Sequence, residues 1–184
     1  KCYRTEEKGT LYACTVCWYL APGGVDPYDP VPVEDRHDYY VKPPAVGGGY
    51  RILGQPVGDP RTQRMTNYRD KWTNSDQLWW TGAKPGDKLQ IALPVKSDGR
   101  YDVSVFLTKA IDYGIVQLSI DGKKMGEPID LFNRGVIRTD EIPLGAVELT
   151  EGEHVFGVEI VGKNENAVPS YMFGLDEVIL KKAE

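Results

Sequence analysis

The sequence predicts an all-β fold, a two-sheet antiparallel β-sandwich, and three observations carry that prediction. Short apolar runs alternate with period two, as strands with one buried face do. Twenty glycines and 13 prolines fall between those runs as punctuation. The turn sequences Pro85-Gly86-Asp87, Ser97-Asp98-Gly99, Asp121-Gly122 and Glu151-Gly152 each separate two runs. No segment has a clear helical period.

In chain order, residues Leu11 to Leu20 are rich in Tyr, Val, Trp and Thr and read as a strand, with Trp18 as its packing residue. Cys14 and Cys17 form a CxxC, but on a strand positions three apart face opposite ways, and no second ligand pair or following helix completes a metal or redox site. Cys2 could pair with either of them in an oxidising compartment. Residues 21–49 carry six prolines and five glycines and read as a linker or extended arm. The expected division is therefore an N-terminal strand and arm over 1–49 and a sandwich over 50–184. A lone strand cannot bury its own apolar face. It is expected to pair with the sandwich edge, with a missing domain, or with a second copy to give a homo-oligomer.

The clearest strands of the sandwich are Lys88 to Val95, Tyr101 to Thr108, Gly114 to Ile120, His154 to Val161 and Phe173 to Leu180. In the second, Tyr101, Val103, Val105 and Leu107 form an apolar row that alternates with Asp102, Ser104, Phe106 and Thr108. Asp121-Gly122 is the strongest hairpin signal. Weaker strands are expected over Gln77 to Thr81, Pro128 to Phe132, Val136 to Ile142 and Ala146 to Leu149, a total of eight or nine, as a jelly roll requires.

Composition excludes several classes of function. The 27 acidic and 22 basic residues give a net charge of -5 with no basic run longer than a pair, which offers a phosphate backbone little to hold, so nucleic acid is not an expected partner. No stretch approaches the roughly 20 apolar residues that span a bilayer as a helix, so no membrane partner is expected. Lys1 opens the chain without a start methionine or apolar leader, which predicts a mature or excised piece of a longer protein. The two histidines, His37 and His154, lack a neighbouring nucleophile motif, and Gly47 to Gly49 lack the Lys-Ser or Lys-Thr that would follow in a phosphate loop. No catalytic residue is assigned.

The pieces "QLWWTGAKPGDKLQIALPV", "GRYDVSVFLTKAIDYGIVQLSIDGKKMG", "PIDLF", "LTEGEHVFGVEIVGKN" and "YMFGLDEVIL" occur in that order between Gln77 and Leu180. That order resembles the galactose-binding-like jelly-roll modules at the C-termini of bacterial polysaccharide-degrading enzymes. "LYACTVCWYLAPGG" followed by "PVPVEDR" is similar to the last strand and exit of the catalytic domain of glycoside hydrolase family 172. The resemblance implies a secreted or extracellular, or periplasmic, bacterial carbohydrate-binding module. Its partners would be a polysaccharide or oligosaccharide and a linked catalytic domain. The alternative is a structural or assembly sandwich of a family 172-like hydrolase with no ligand of its own. Modules of this fold often hold a structural calcium between a glutamate on the first strand and an aspartate near the last. Here Tyr50 to Gly58 contains no acidic residue, Asp176 is the one weak metal candidate, and calcium remains open with no other cofactor expected.

Sugar recognition needs aromatic faces for C–H surfaces and amides or carboxylates for hydroxyls. Two loops supply them, one from Lys109 through Asp112 to Tyr113, the other from Lys163 through Asn164 and Asn166 to Tyr171. They are expected to share one apex, with Trp72 beside them. The resemblance implies that Asn164 or Asn166 bonds a sugar hydroxyl, whereas the chemistry of each taken singly favours turn capping. Of Trp79 and Trp80, adjacent on one strand, one must face the core and the other outward.

Overall fold

A computed structural model describes residues 49–69 and 72–183, which lie within a compact unit spanning Lys42–Glu184. The predicted strand Leu11 to Leu20, the three cysteines, the arm and His37 lie outside the described residues. Eleven strands occur among those described: β1 Ile52–Leu53, β2 Asp59–Arg64, β3 Asp76–Thr81, β4 Lys88–Val95, β5 Gly99–Lys109, β6 Ile115–Ile120, β7 Lys123–Asp130, β8 Ile137–Arg138, β9 Ile142–Leu149, β10 Gly152–Gly162 and β11 Phe173–Lys182. They form two antiparallel sheets packed as a sandwich, as the alternation predicts. The first has the order β1-β4-β10-β6-β7. The second has the order β2-β3-β11-β5-β8, with β9 also pairing with β5.

The apolar row of β5 faces the interior, where Val105 and Leu107 are fully buried. It meets Leu78 and Trp80 of β3, Phe173 and Leu175 of β11, and from the other sheet Leu89 and Ile91 of β4, Phe156 and Ile160 of β10 and Leu118 of β6. Trp80 satisfies its indole N–H on the Val57 carbonyl at 2.8 Å, so this large ring is buried without an orphaned donor. Asp121 and Gly122 both take positive φ, 50° and 78°, and turn β6 into β7 as the Asp-Gly hairpin signal predicts.

Three elements depart from the expectation. β2 has the sequence DPRTQR, which is polar on both faces; it gave no alternation to read, and it survives as an edge strand where Pro60 and charged side chains are tolerated. β7 starts at Lys123, directly from the hairpin, rather than at Pro128. Between Val136 and Ile142 only Ile137 and Arg138 pair. There Thr139 takes over the end of β5 through its hydroxyl, which accepts from Leu107 N at 3.0 Å, and β9 begins at Ile142.

Candidate functional site

β5 crosses from the second sheet to β6 of the first, and β10 crosses back to β11. Both crossovers sit at the same end of the sandwich and are stitched together by backbone bonds: Val168 N to Ile111 O at 2.9 Å, Met172 N to Asp112 O at 3.1 Å and Gly114 N to Met172 O at 2.9 Å. The two loops expected to share an apex therefore do so. The segment after β7 joins them, since Ala110 N bonds Leu131 O at 3.0 Å and Asn133 N bonds Ala110 O at 3.1 Å.

Within this apex Asn164 is spent on structure. Its side-chain oxygen accepts from Asn166 N at 3.0 Å, an Asx turn, and its amide nitrogen donates to Asp130 at 2.6 Å. Asp130 also caps Phe132 N at 2.9 Å, so one carboxylate joins the two segments; its polar role gave no sequence signal. Asp112 is half-buried, and no bond to its carboxylate forms among the described residues. Asn166 is exposed, Lys109 and Tyr171 are half-buried, and Ile111 and Val168, bonded through their backbones, expose 45% and 48% of their surface.

Trp72 and Tyr113 occupy a different setting from the stacking role expected of them. Both are buried, at 5% and 4% exposure, on the outer face of the second sheet. Trp72 donates its indole N–H to Thr108 Oγ1 at 2.8 Å, Thr108 donates to Gln77 Oε1, and Gln77 Nε2 donates to the Tyr113 hydroxyl at 3.2 Å and to Gln63 at 2.6 Å. Burial pushes the Tyr113 phenol well above its ordinary range, with the bond from Gln77 working against it. Gly174 lies under this group, and a methyl there would stand 2.9 Å from Thr108 Cβ and 3.0 Å from Tyr113 Cε1. The solvent-facing ring is Tyr68, which packs at 59° on Trp72 with centroids 5.9 Å apart. Sequence reasoning passed over Tyr68 because nothing marks which of two aromatics in a polar loop will turn inward.

Of the tryptophan pair, Trp80 is the core residue and Trp79 the outward one. The Arg61 guanidinium lies 4.7 Å from the centre of the Trp79 ring. A second feature without a sequence signal is a polar depression of about 180 Å³ on the outer face of the first sheet, lined by Lys88, Gln90, Gln117, Ser119 and Glu159 with Gly157 among them.

Asp176 is fully buried. Its Oδ1 accepts from Thr73 N at 2.8 Å, and its Oδ2 accepts from Arg138 Nε and, at 3.4 Å, from Thr73 Oγ1. Desolvation raises its pKa, against the pull of Arg138 and Thr73. A calcium needs six to eight oxygens, and both oxygens of Asp176 already serve nitrogen or hydroxyl donors. No group of three or more His, Cys, Asp or Glu side chains converges among the described residues. The donor set does not fit the ion that the family resemblance left open. No helix among these residues is long and apolar enough to cross a membrane.

No protein-family model and no curated protein matches the sequence. Among solved structures, a xanthan lyase from Paenibacillus is 23% identical with a TM-score of 0.62, over 76% of this chain and 14% of the lyase. A family 35 carbohydrate-binding module from Clostridium thermocellum is 19% identical with a TM-score of 0.44, over 70% of this chain and 91% of the module. The mannanase of Podospora anserina that carries a family 35 module is 15% identical with a TM-score of 0.45, over 76% of this chain and 28% of that one. The first likeness is one of fold. The other two scores are too low to establish a common topology.

Proposed function

We propose that the sandwich is a non-catalytic carbohydrate-binding module. It holds a polysaccharide or oligosaccharide at the apex and keeps a linked bacterial, secreted polysaccharide-degrading enzyme at its substrate. The observation that carries this reading is the convergence of the two crossover loops. They leave Asp112 and Tyr171 unspent beside the aliphatic surface of Ile111 and Val168, with the exposed amide of Asn166 bonded through its Nδ2 to Asn164 Oδ1 at 3.3 Å. Carboxylate, amide and hydroxyl suit sugar hydroxyls, and the aliphatic surface suits C–H faces. The fold shared with a segment of a xanthan lyase supports the reading, as do the ordered motifs quoted above. Stacking passes from the buried Trp72 and Tyr113 to Tyr68, the exposed ring that packs on Trp72.

A glycan array followed by isothermal titration tests the proposal. Asp112→Ala, Asn166→Ala and Tyr68→Ala should each weaken binding of the confirmed glycan while melting normally. If all three bind it as the parent does, the apex is not the site. The Trp79 face and the polar depression on the first sheet are then the places to look.

A second reading rests on Ile111 and Val168 alone. Exposed aliphatics bonded through their backbones also suit contact with a neighbouring domain. The chain would then be an assembly sandwich of a larger hydrolase, such as the family 172-like parent, and would show no glycan binding at all.

A further inference from the structure

We propose that Arg138 is the structural cation of this sandwich, a tethered guanidinium that balances Asp176 where the resemblance leaves room for a calcium, so that the fold needs no metal. The argument begins with the register of β11 on β5. Leu175 pairs with Leu107 and Glu177 with Phe106, which leaves Asp176 as the extra residue of a β-bulge. The bulge redirects a carboxylate into a site with no solvent exposure. An ionised carboxylate in such a place is tolerated only with a counter-charge and filled hydrogen bonds.

Arg138 supplies the charge. It sits on β8, paired with Thr108 of β5, and its guanidinium lies 3.7 Å from the centre of the Phe106 ring while Nε donates to Asp176 Oδ2. The planar cation thus has an aromatic floor and a carboxylate wall. Thr73 supplies the remaining donors, its N–H to Oδ1 and its hydroxyl shared between Asp176 and Glu177 Oε2 at 3.2 Å. An incoming divalent ion would meet a fixed positive charge and a nitrogen donor at the oxygen it needs. The same contacts fasten together β8, the bulge of β11 and the segment before β3, which carries Trp72. A chelator cannot remove a cation attached to its own chain.

The test measures melting of the full chain in millimolar calcium chloride and in EGTA, alongside calcium titration calorimetry. A structural ion at a hundredfold excess over its dissociation constant would raise Tm by roughly 10 °C. The parent should instead melt at the same temperature in both solutions and give no heat. Arg138→Met should lower Tm by about 10 °C or more with or without calcium. The double variant Arg138→Met/Asp176→Asn should recover part of that loss, because the stranded charge is gone. Any rise of the parent's Tm with calcium overturns the proposal, as does an Arg138→Met variant as stable as the parent. Should Arg138→Met fail to fold, the calcium response of the parent still decides the matter.

Discussion

Replacing Gly174 by alanine adds one methyl at a point where the outer face of the second sheet is tightly covered. That methyl would lie 2.9 Å from Thr108 Cβ and 3.0 Å from Tyr113 Cε1, with Gln77 Oε1 closer still. Carbon atoms pack best at roughly 3.5 to 4.0 Å, so all three neighbours must withdraw by half an ångström or more. Overpacking of this kind costs about 1 to 3 kcal/mol. All three neighbours also belong to the buried chain from Trp72 through Thr108 and Gln77 to Tyr113, and straining one of those bonds adds about 1 kcal/mol. The expected loss is therefore about 3 kcal/mol. With a urea slope of about 1.5 kcal/mol/M for a sandwich of this size, the midpoint falls by roughly 2 M. Equilibrium urea denaturation followed by tryptophan fluorescence measures it. Gly162→Ala is the control, since a methyl there meets no atom within 4 Å. Equal midpoints for the two variants would refute the claim that contact, rather than generic strand preference, sets the cost.

Three further outcomes follow from the geometry. His154 places Nδ1 2.6 Å from Asp121 Oδ2 and Nε2 2.9 Å from Thr150 O, both acceptors, so only the imidazolium satisfies both, and these bonds raise its pKa. A raised folded pKa gives stability that is complete below the unfolded value of about 6.5 and lost as pH rises through the folded one. Denaturation midpoints should therefore decline above neutral pH in the parent and much less in His154→Gln; parallel curves for the two would exclude the role. Trp72→Phe removes the donor to Thr108 and should cost about 1 to 2 kcal/mol by urea denaturation. On the outer face of the second sheet, Tyr68→Ala should weaken glycan binding roughly tenfold or more in titration calorimetry. Asn164→Ala, which breaks the Asx turn and the link to Asp130, should show its effect in the melting curve first.

Where one face of a strand is apolar and the other polar, the sequence was readable to the residue: β4 runs from Lys88 to Val95 as the alternation said. β2 was invisible because both of its faces are polar, and pairing with β3 alone makes it a strand. The apex was legible because its two loops follow strands that change sheets. The inward turn of Trp72 was not, because it depends on Thr108 and Gln77, polar residues buried on what alternation marks as a solvent face. Asn164 shows the limit most plainly. Turn capping and sugar binding ask for the same amide, and only its bonds to Asn166 and Asp130 separate the two duties.

The order of the strands has a consequence for how the chain is made. β10 lies at the centre of the first sheet and β11 at the centre of the second, yet they are the last two strands in sequence. β11 pairs Phe173 with Trp80 and Leu180 with Val103, while β10 pairs Phe156 with both Ile91 and Ile120. A growing chain that has emerged only as far as β9 holds the flanks of both sheets without the strand that joins them. Neither half of the core can close on the ribosome until the final strands clear the exit tunnel. The nascent chain must keep unpaired edges in solution throughout that interval. The charged, proline-bearing β2 is well suited to that wait.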